Sequence, residues 1–466
     1  MTKYTRRRKM NQSHHTPHYY TPHYYTPHHT PHHTPHGQVG GIPIFAGAQG
    51  CVFKPSLKCK HKPHHPNDGN VSKLEYKESA ESEMREYEQI KSHLKQIPNY
   101  QNYFSVQAEL CEPAPLTARD LAKFDDICTN MKRYDITAAN VNASLSQLRM
   151  INMPDLGIDL QDWLERSTFD AARLHRLNEY ISKILVRAVV PMNERGVIHN
   201  DLKAENLMID RNNRVRIIDW GLAGTTTPEQ VIPVRHFMNN PVTFNRPFST
   251  MVISNDVREL YASKVLAPIT NWETEFTMAR VKEFTAALYK RYIDEFDIKG
   301  YEYFEYIFQC IYGNKLRAKS MLHDAVSTYT AEILYHFTDR TNRTFRMTEY
   351  FEKVYRYNTD VWGTMCVFYS MFMLPRTSFV MSDAEYDDML RRYRSLFNTI
   401  VFANGHERMN VSRIVQELRR INAGVKVKKK NRTVRVRFNL KATKKANANA
   451  WIAGRVPTPY PMYPMH

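Results

Sequence analysis

The chain of 466 residues has no apolar run long enough to cross a bilayer, which takes about 18 residues or more, so no transmembrane helix is expected. Its first residues, MTKYTRRRKM, are basic but lack an apolar segment, so no secretory signal is expected either. Cysteine is scarce. Six are scattered along the chain, which predicts reduced thiols in a cytosolic setting and argues against a disulfide framework. Acidic residues are missing from both ends: residues 1–46 hold five Lys/Arg, residues 426–466 hold eleven, and neither stretch holds Asp or Glu. Of the net charge of +18, only +2 therefore belongs to residues 47–425, and a nearly neutral body between basic ends is expected.

What is present is globular in composition, 42% hydrophobic and 24% charged, over a length that can hold two or three domains and a sizeable core. Residues 1–40 are the exception. A Thr-Pro-His repeat begins at Thr16, Thr21, Thr26, Thr30 and Thr34 with no aliphatic residue among its members, which predicts a disordered, partly polyproline-II arm. Clustered His for weak metal binding, Thr-Pro phosphorylation and a plain solvated tail are its possible readings. At the other end, residues 425–466 are basic and then Pro-rich. The Val/Lys/Arg alternation over Val425–Phe438 suits a nucleic acid or another acidic partner through counterion release, or equally a solubilising or nuclear-targeting tail.

The chemistry concentrates in Val197–Gly221, VIHNDLKAENLMIDRNNRVRIIDWG. Alternating apolar residues on either side of Arg211-Asn212-Asn213-Arg214 predict a β-hairpin. Such a hairpin would return Asp219 to the side of Asn206 and near Asp201, with Lys203 among them. Two carboxylates and an amide converging in this way suit holding Mg²⁺ on a polyphosphate and orienting a hydroxyl for attack.

At His199, Asp201, Leu202, Lys203 and Asn206, followed by Asp219-Trp220-Gly221, the chain resembles the protein-kinase superfamily, whose catalytic loop is H-R-D-L-x-x-x-N followed by D-F-G. The resemblance implies an α+β fold with two lobes, a small β-rich N-lobe over 41–155 and a large helical C-lobe over 156–424. It also implies ATP and Mg²⁺ as cofactors and a protein substrate phosphorylated on Ser/Thr. Within it, Asp201 and Lys203 are the catalytic pair, and Asn206 and Asp219 are the metal ligands. His199 supports the loop from below, Gly221 closes the second motif, and Asp360, in Asp360-Val361-Trp362-Gly363, buttresses the catalytic loop.

Other motifs fall in the order this resemblance requires. Gly47, Gly50 and Val52 are similar to the glycine-rich phosphate loop, with Phe45 where a first glycine would stand. Lys73 resembles the strand lysine that pairs the nucleotide phosphates. The helix after it should supply that lysine's glutamate, expected as Glu86 with Glu83 as the rival one turn earlier. Tyr103–Val106 is expected as a strand and a helical insert near 117–132. Met153 falls at the hinge that would face an adenine. Asp159 either bonds a ribose hydroxyl or is a helix N-terminal acid. The G-C-V-F-x-P…C form through Cys51 and Cys59 is similar to divergent kinase-like proteins of giant DNA viruses, which would place the chain in a host cytoplasm or virion, the basic ends leaving a nuclear location open.

Some features depart from the family pattern. Asn200 replaces the arginine that reads an activation-segment phosphate, so phosphorylation of Thr225–Thr227 is not expected to be required. Asn245-Arg246-Pro247-Phe248 lacks the glutamate of A-P-E, leaving Arg408 without that partner. Residues 252–356 read as a helical insertion. Two rival functions remain: a small-molecule kinase of the choline or aminoglycoside type, and a weakly catalytic kinase-like scaffold.

Overall fold

The structure is a computed structural model that describes residues 41–47, 50–61, 69–166, 168–233, 237, 243–296 and 299–425, with the backbone alone over 291–303. The expectations for the Thr-Pro-His arm and for residues 426–466 lie outside the described residues.

Short alternating segments build the first sheet. Strands β1 (Ile42–Ala46), β2 (Gly50–Lys54), β3 (Asn70–Tyr76), β4 (Glu109–Cys111) and β5 (Leu148–Pro154) pair antiparallel in the order β1-β2-β3-β5-β4. The register sets Val52 opposite Lys73 and Val71 opposite Met153. Helix α1 (Lys77–Leu94) follows β3 directly. Its buried residues, Ala80, Glu83, Tyr87, Ile90 and Leu94, recur at three- and four-residue steps and form one face.

The segment between β4 and β5 is a connection of short elements. Helices Ala118–Leu121 and Phe124–Ile127 and a 3₁₀ turn Thr129–Tyr134 make up the helical insert expected near 117–132, as three short pieces. Phe124, Cys128 and Met131 pack with Cys51, Phe53 and Leu74 of the sheet in one apolar cluster. The expected strand over Tyr103–Val106 does not form. A 3₁₀ turn, Tyr100–Asn102, precedes it, and Phe104 makes only an isolated bridge to Ile217. Ser105 N–H reaches Ile217 O at 2.9 Å, so the segment's hydrogen bonds go to the later hairpin rather than to the first sheet.

The scattered cysteines correct another expectation. Cys51 pairs with Cys128 and Cys59 with Cys111, across 77 and 52 residues of sequence. No local spacing announces these pairs, because the packing of the β4–β5 connection onto β2 brings them together. Cys310 and Cys366 remain thiols.

From residue 156 onward helices dominate. β6 (Ile158–Asp159), β8 (Leu207–Ile209) and β9 (Val215–Ile217) form a small sheet in the order β6-β8-β9, and β7 (Val197–Ile198) pairs with β10 (Gly224–Thr225). The helix Arg356–Met365 is buried over Asn358–Met365 and lies beneath the catalytic stretch. A Cβ at Gly363 would come within 2.6 Å of Leu202 O, so only glycine lets the two backbones approach this closely. Within 252–356 the principal helices are Met278–Phe296, Lys299–Tyr312 and Lys315–His336, accompanied by a two-stranded ladder, Thr338–Asp339 with Thr344–Phe345. Phe304, Ile307, Phe308, Leu322 and Tyr329 of this region belong to the same apolar cluster as Trp362 and Phe402.

Candidate active site

The β8–β9 hairpin pairs Leu207 with Ile217, and Ile218 N–H donates to Asn206 O at 3.1 Å. Asp219 therefore follows immediately on a backbone already tied to Asn206. His199 lies fully buried beneath, its Nε2 2.8 Å from Ile218 O and its Nδ1 3.3 Å from the N–H of Asp201. These two bonds require Nε2 to carry the proton and Nδ1 to accept. Trp220 packs against His199 and Phe104, and its indole N–H donates to Ser105 O at 3.0 Å.

Asp360 holds the loop from the helix below. One oxygen accepts from the His199 N–H at 2.8 Å and from Asn193 Nδ2 at 2.7 Å; the other accepts from the Asn200 N–H at 2.8 Å. Burial pushes its carboxyl up, against the pull of His199 and these donors. Asn200 and Asp219 both have φ of +62°, a left-handed conformation that Asn and Asp tolerate better than most residues at a cost of about 1–3 kcal/mol each. The Asp360 contacts are what over-determine the first of these.

Asp201 is gripped on both oxygens. Oδ2 accepts from Asn206 Nδ2 at 3.0 Å and lies 3.1 Å from Lys203 Nζ; Oδ1 accepts from Asn245 Nδ2 at 2.8 Å. Asn206 Nδ2 also donates to Asp201 O at 2.7 Å, which leaves its amide oxygen as a ligand atom. Burial alone would lower Lys203, but Asp201, Glu205 and Asp219 outweigh it and raise it, so Lys203 stays cationic. The sequence reading missed Asn245. It lies 44 residues from Asp201 in a motif that otherwise only looked degraded, and Arg246 beside it donates through Nε to Asn200 O at 3.0 Å. Arg408, without the family's glutamate, donates to Lys353 O at 2.7 Å and lies over the Tyr357 ring at 3.6 Å.

Lys73 is held by two carboxylates: Glu83 Oε2 at 2.7 Å and Glu75 Oε1 at 2.5 Å. The expected partner Glu86 is displaced by Glu83. Glu83 belongs to the buried face of α1 with Tyr87 and Ile90, whereas Glu86 sits off that face. Glu75 was missed altogether, although a period-two reading of β3 puts it on Lys73's side of the strand. It is fully buried beneath Gly50, where a Cβ would come within 2.4 Å of Glu75 Cγ. Burial pushes Glu83 up to about 7, with Lys73 pulling it down and Glu75 and Asp219 adding to the rise. Burial would lower Lys73, and the two glutamates outweigh it and raise it. The Asp219 carboxylate raises both Glu83 and Lys203, so its charge acts on the strand lysine's partner and on the loop lysine alike.

Gly47 and Gly50 form the phosphate-loop candidate, closed by Gly47 N–H to Gly50 O at 2.9 Å. Val52 stands opposite Lys73, and Met153 lies near the end of β5. Asp159 caps the helix Leu160–Glu165 through the N–H of Asp162 at 2.7 Å, and burial pushes its carboxyl up to about 6. Gly221 N–H makes a long 3.4 Å bond to Asp219 Oδ1, the one hydrogen bond of that carboxylate among the described residues. An exposed carboxylate with so little protein bonding, beside a spare amide oxygen, is a hard-oxygen donor set that fits Mg²⁺.

Residues 136–244, which contain this catalytic stretch, match the protein kinase domain family. Over 49 residues the chain is 43% identical to hormonally up-regulated neu tumor-associated kinase homolog B of Xenopus laevis, covering 10% of this chain and 8% of that protein. It is 44% identical over 55 residues to serine/threonine-protein kinase ksg1 of Schizosaccharomyces pombe (11% and 9%), and 31% identical over 81 residues to the probable serine/threonine-protein kinase mkcB of Dictyostelium discoideum (16% and 11%). The chain thus spans about a tenth of the length of the relatives it matches. What the domain match and these relatives show is a likeness to protein kinases over this part of the chain. No described helix is long and apolar enough to cross a membrane.

Proposed function

We propose that the chain is an ATP- and Mg²⁺-dependent kinase that phosphorylates Ser/Thr hydroxyls of proteins. The observation that carries this is the grip on Asp201. Asn206, Lys203 and Asn245 fix both of its oxygens, and Asp360 fixes the loop beneath. Asp201 would orient the acceptor hydroxyl and take its proton as the oxygen bonds the γ-phosphorus and the bond to the bridging oxygen of ADP breaks. Lys203, kept cationic, would neutralise charge on the transferring group. Lys73, oriented by Glu83 and Glu75, would hold the nucleotide phosphates together with Gly47 and Gly50. Asn206 and Asp219 would hold Mg²⁺, which when bound supplies charge neutralisation across the phosphates. Met153 would face the adenine. Asp159 has one oxygen committed to its helix cap, so any ribose contact falls to the other. We hold the finer likeness to giant-virus kinase-like proteins as part of the same reading.

The test is γ-labelled ATP with Mg²⁺, offered protein acceptors and small alcohols in parallel, against Asp201→Asn. Label on Ser/Thr of protein, lost in the variant, supports the reading. Label on the alcohols alone moves the chain to the small-molecule class, and failure to bind nucleotide overturns both.

A further inference from the structure

We infer that the connection between β4 and β5 is a clamp on the Gly47 and Gly50 backbone, and that Asn130 is a positioning residue for nucleotide; this deepens the proposed kinase reading and rests on it. Asn130 lies in the 3₁₀ turn Thr129–Tyr134, 80 residues from the glycine loop in sequence. Its Nδ2 donates to Gly47 O and to Gly50 O, both at 2.9 Å. Its amide thus engages both glycine carbonyls. A carbonyl swung into the cleft would repel phosphate oxygens, and Asn130 ties these two to itself instead.

Further contacts keep Asn130 in place. Cys128, two residues before it, is bonded to Cys51, the residue after Gly50. Tyr134, four residues after it, stacks on Tyr76 at the end of β3 with ring centroids 4.8 Å apart. At the base of the connection Cys59–Cys111 joins the flanking segments, with Lys60 N–H to Glu112 O and Ala114 N–H to Lys58 O at 2.8 Å each. The clamp is therefore anchored to the strand before the lysine, to the strand that carries it, and at its own root. This bears on the glycine missing at Phe45. A loop with fewer glycines has fewer ways to wrap a phosphate by itself, and here its conformation is imposed from outside.

The prediction concerns nucleotide affinity and spares the chemical step, because the hydrogen bonds of Asn130 go to Gly47 and Gly50 and none goes to Asp201. In the full chain, Asn130→Ala should raise the KM for ATP about tenfold, the scale expected for two lost amide–carbonyl hydrogen bonds, with kcat within about twofold. Asn130→Asp should be worse, because a carboxylate would face two carbonyl oxygens. Asn130→Ser, which keeps one donor, should fall between wild type and Ala, and replaces Asp if that variant does not fold. Amide hydrogen exchange should quicken over 45–52 in Asn130→Ala without nucleotide, while α1 and β5 stay as in wild type. An unchanged KM in the Ala and Ser variants overturns the inference and leaves the kinase reading standing. Should wild type itself fail to bind ATP, the kinase reading falls, and unchanged exchange over 45–52 would then overturn the clamp separately.

Discussion

Glu83 offers a test that separates it from Glu86 without any substrate. Its carboxyl is pushed up to about 7 in the folded chain, chiefly by burial, from an ordinary value of 4.5. The folded state then holds that proton more tightly than the unfolded state between pH 4.5 and 7. Where the folded state binds more protons, stability falls as pH rises, so Glu83's contribution is fully present below about pH 4.5, declines through the window and is gone above about pH 7. At about 1.4 kcal/mol per pH unit, a rise from 4.5 to about 7 amounts to a few kcal/mol. Glu83→Gln has nearly the same shape and cannot titrate. Urea denaturation at steps from pH 4.5 to 8 should therefore show wild type losing up to a few kcal/mol relative to Glu83→Gln as pH rises. The two curves should run parallel above pH 7. If instead Glu83→Gln tracks wild type across the window, or Glu86→Gln is the variant that flattens the curve, the assignment of the lysine's partner is wrong. Nucleotide binding gives a second view of the same group. Glu83→Ala leaves Lys73 with Glu75 alone and should weaken ATP binding, whereas Glu86→Ala should not.

Asn245→Ala removes one of the donors that fix Asp201; a hydrogen bond to a charged group is worth about 1.5–3 kcal/mol, so kcat should fall about tenfold to a hundredfold with the KM for ATP little changed. An unaltered kcat would remove Asn245 from the site. Under denaturing, non-reducing conditions a thiol reagent should titrate two of the six cysteines, Cys310 and Cys366, and all six after reduction; six before reduction would refute both pairings. Phosphatase treatment should leave turnover unchanged, because Thr226 Oγ1 already accepts from Arg356 Nη1 at 3.1 Å and its N–H reaches Gly196 O at 2.8 Å without a phosphate; loss of turnover restored by a phosphomimetic at Thr225–Thr227 would show that a phospho-switch exists after all.

The parts of the site legible in the sequence are those whose geometry is local. A hairpin of alternating apolar residues fixes the separation of Asn206 and Asp219, because pairing Leu207 with Ile217 allows no other. His199 and Asp201 come two residues apart, so their relation needs no tertiary information. What stayed hidden depends on contacts between distant stretches. Glu83 and Glu86 are both acids one helical turn from apolar neighbours, and only the angle at which α1 meets the sheet decides which one is buried. Asn130, Asn245 and the cysteine pairs carry no pattern of their own. Their roles exist because the β4–β5 connection folds back onto β2, and because the stretch after β10 returns to the catalytic loop. Glu75 is the instructive intermediate. Strand alternation alone puts it beside Lys73, but a buried acid next to a buried lysine reads as an ordinary ion pair until Glu83 is found on the same amine. With two carboxylates on one ammonium, one negative charge is left over in a buried place before nucleotide arrives. That surplus adds to what drives Glu83 upward, and it makes the lysine's surroundings sensitive to pH.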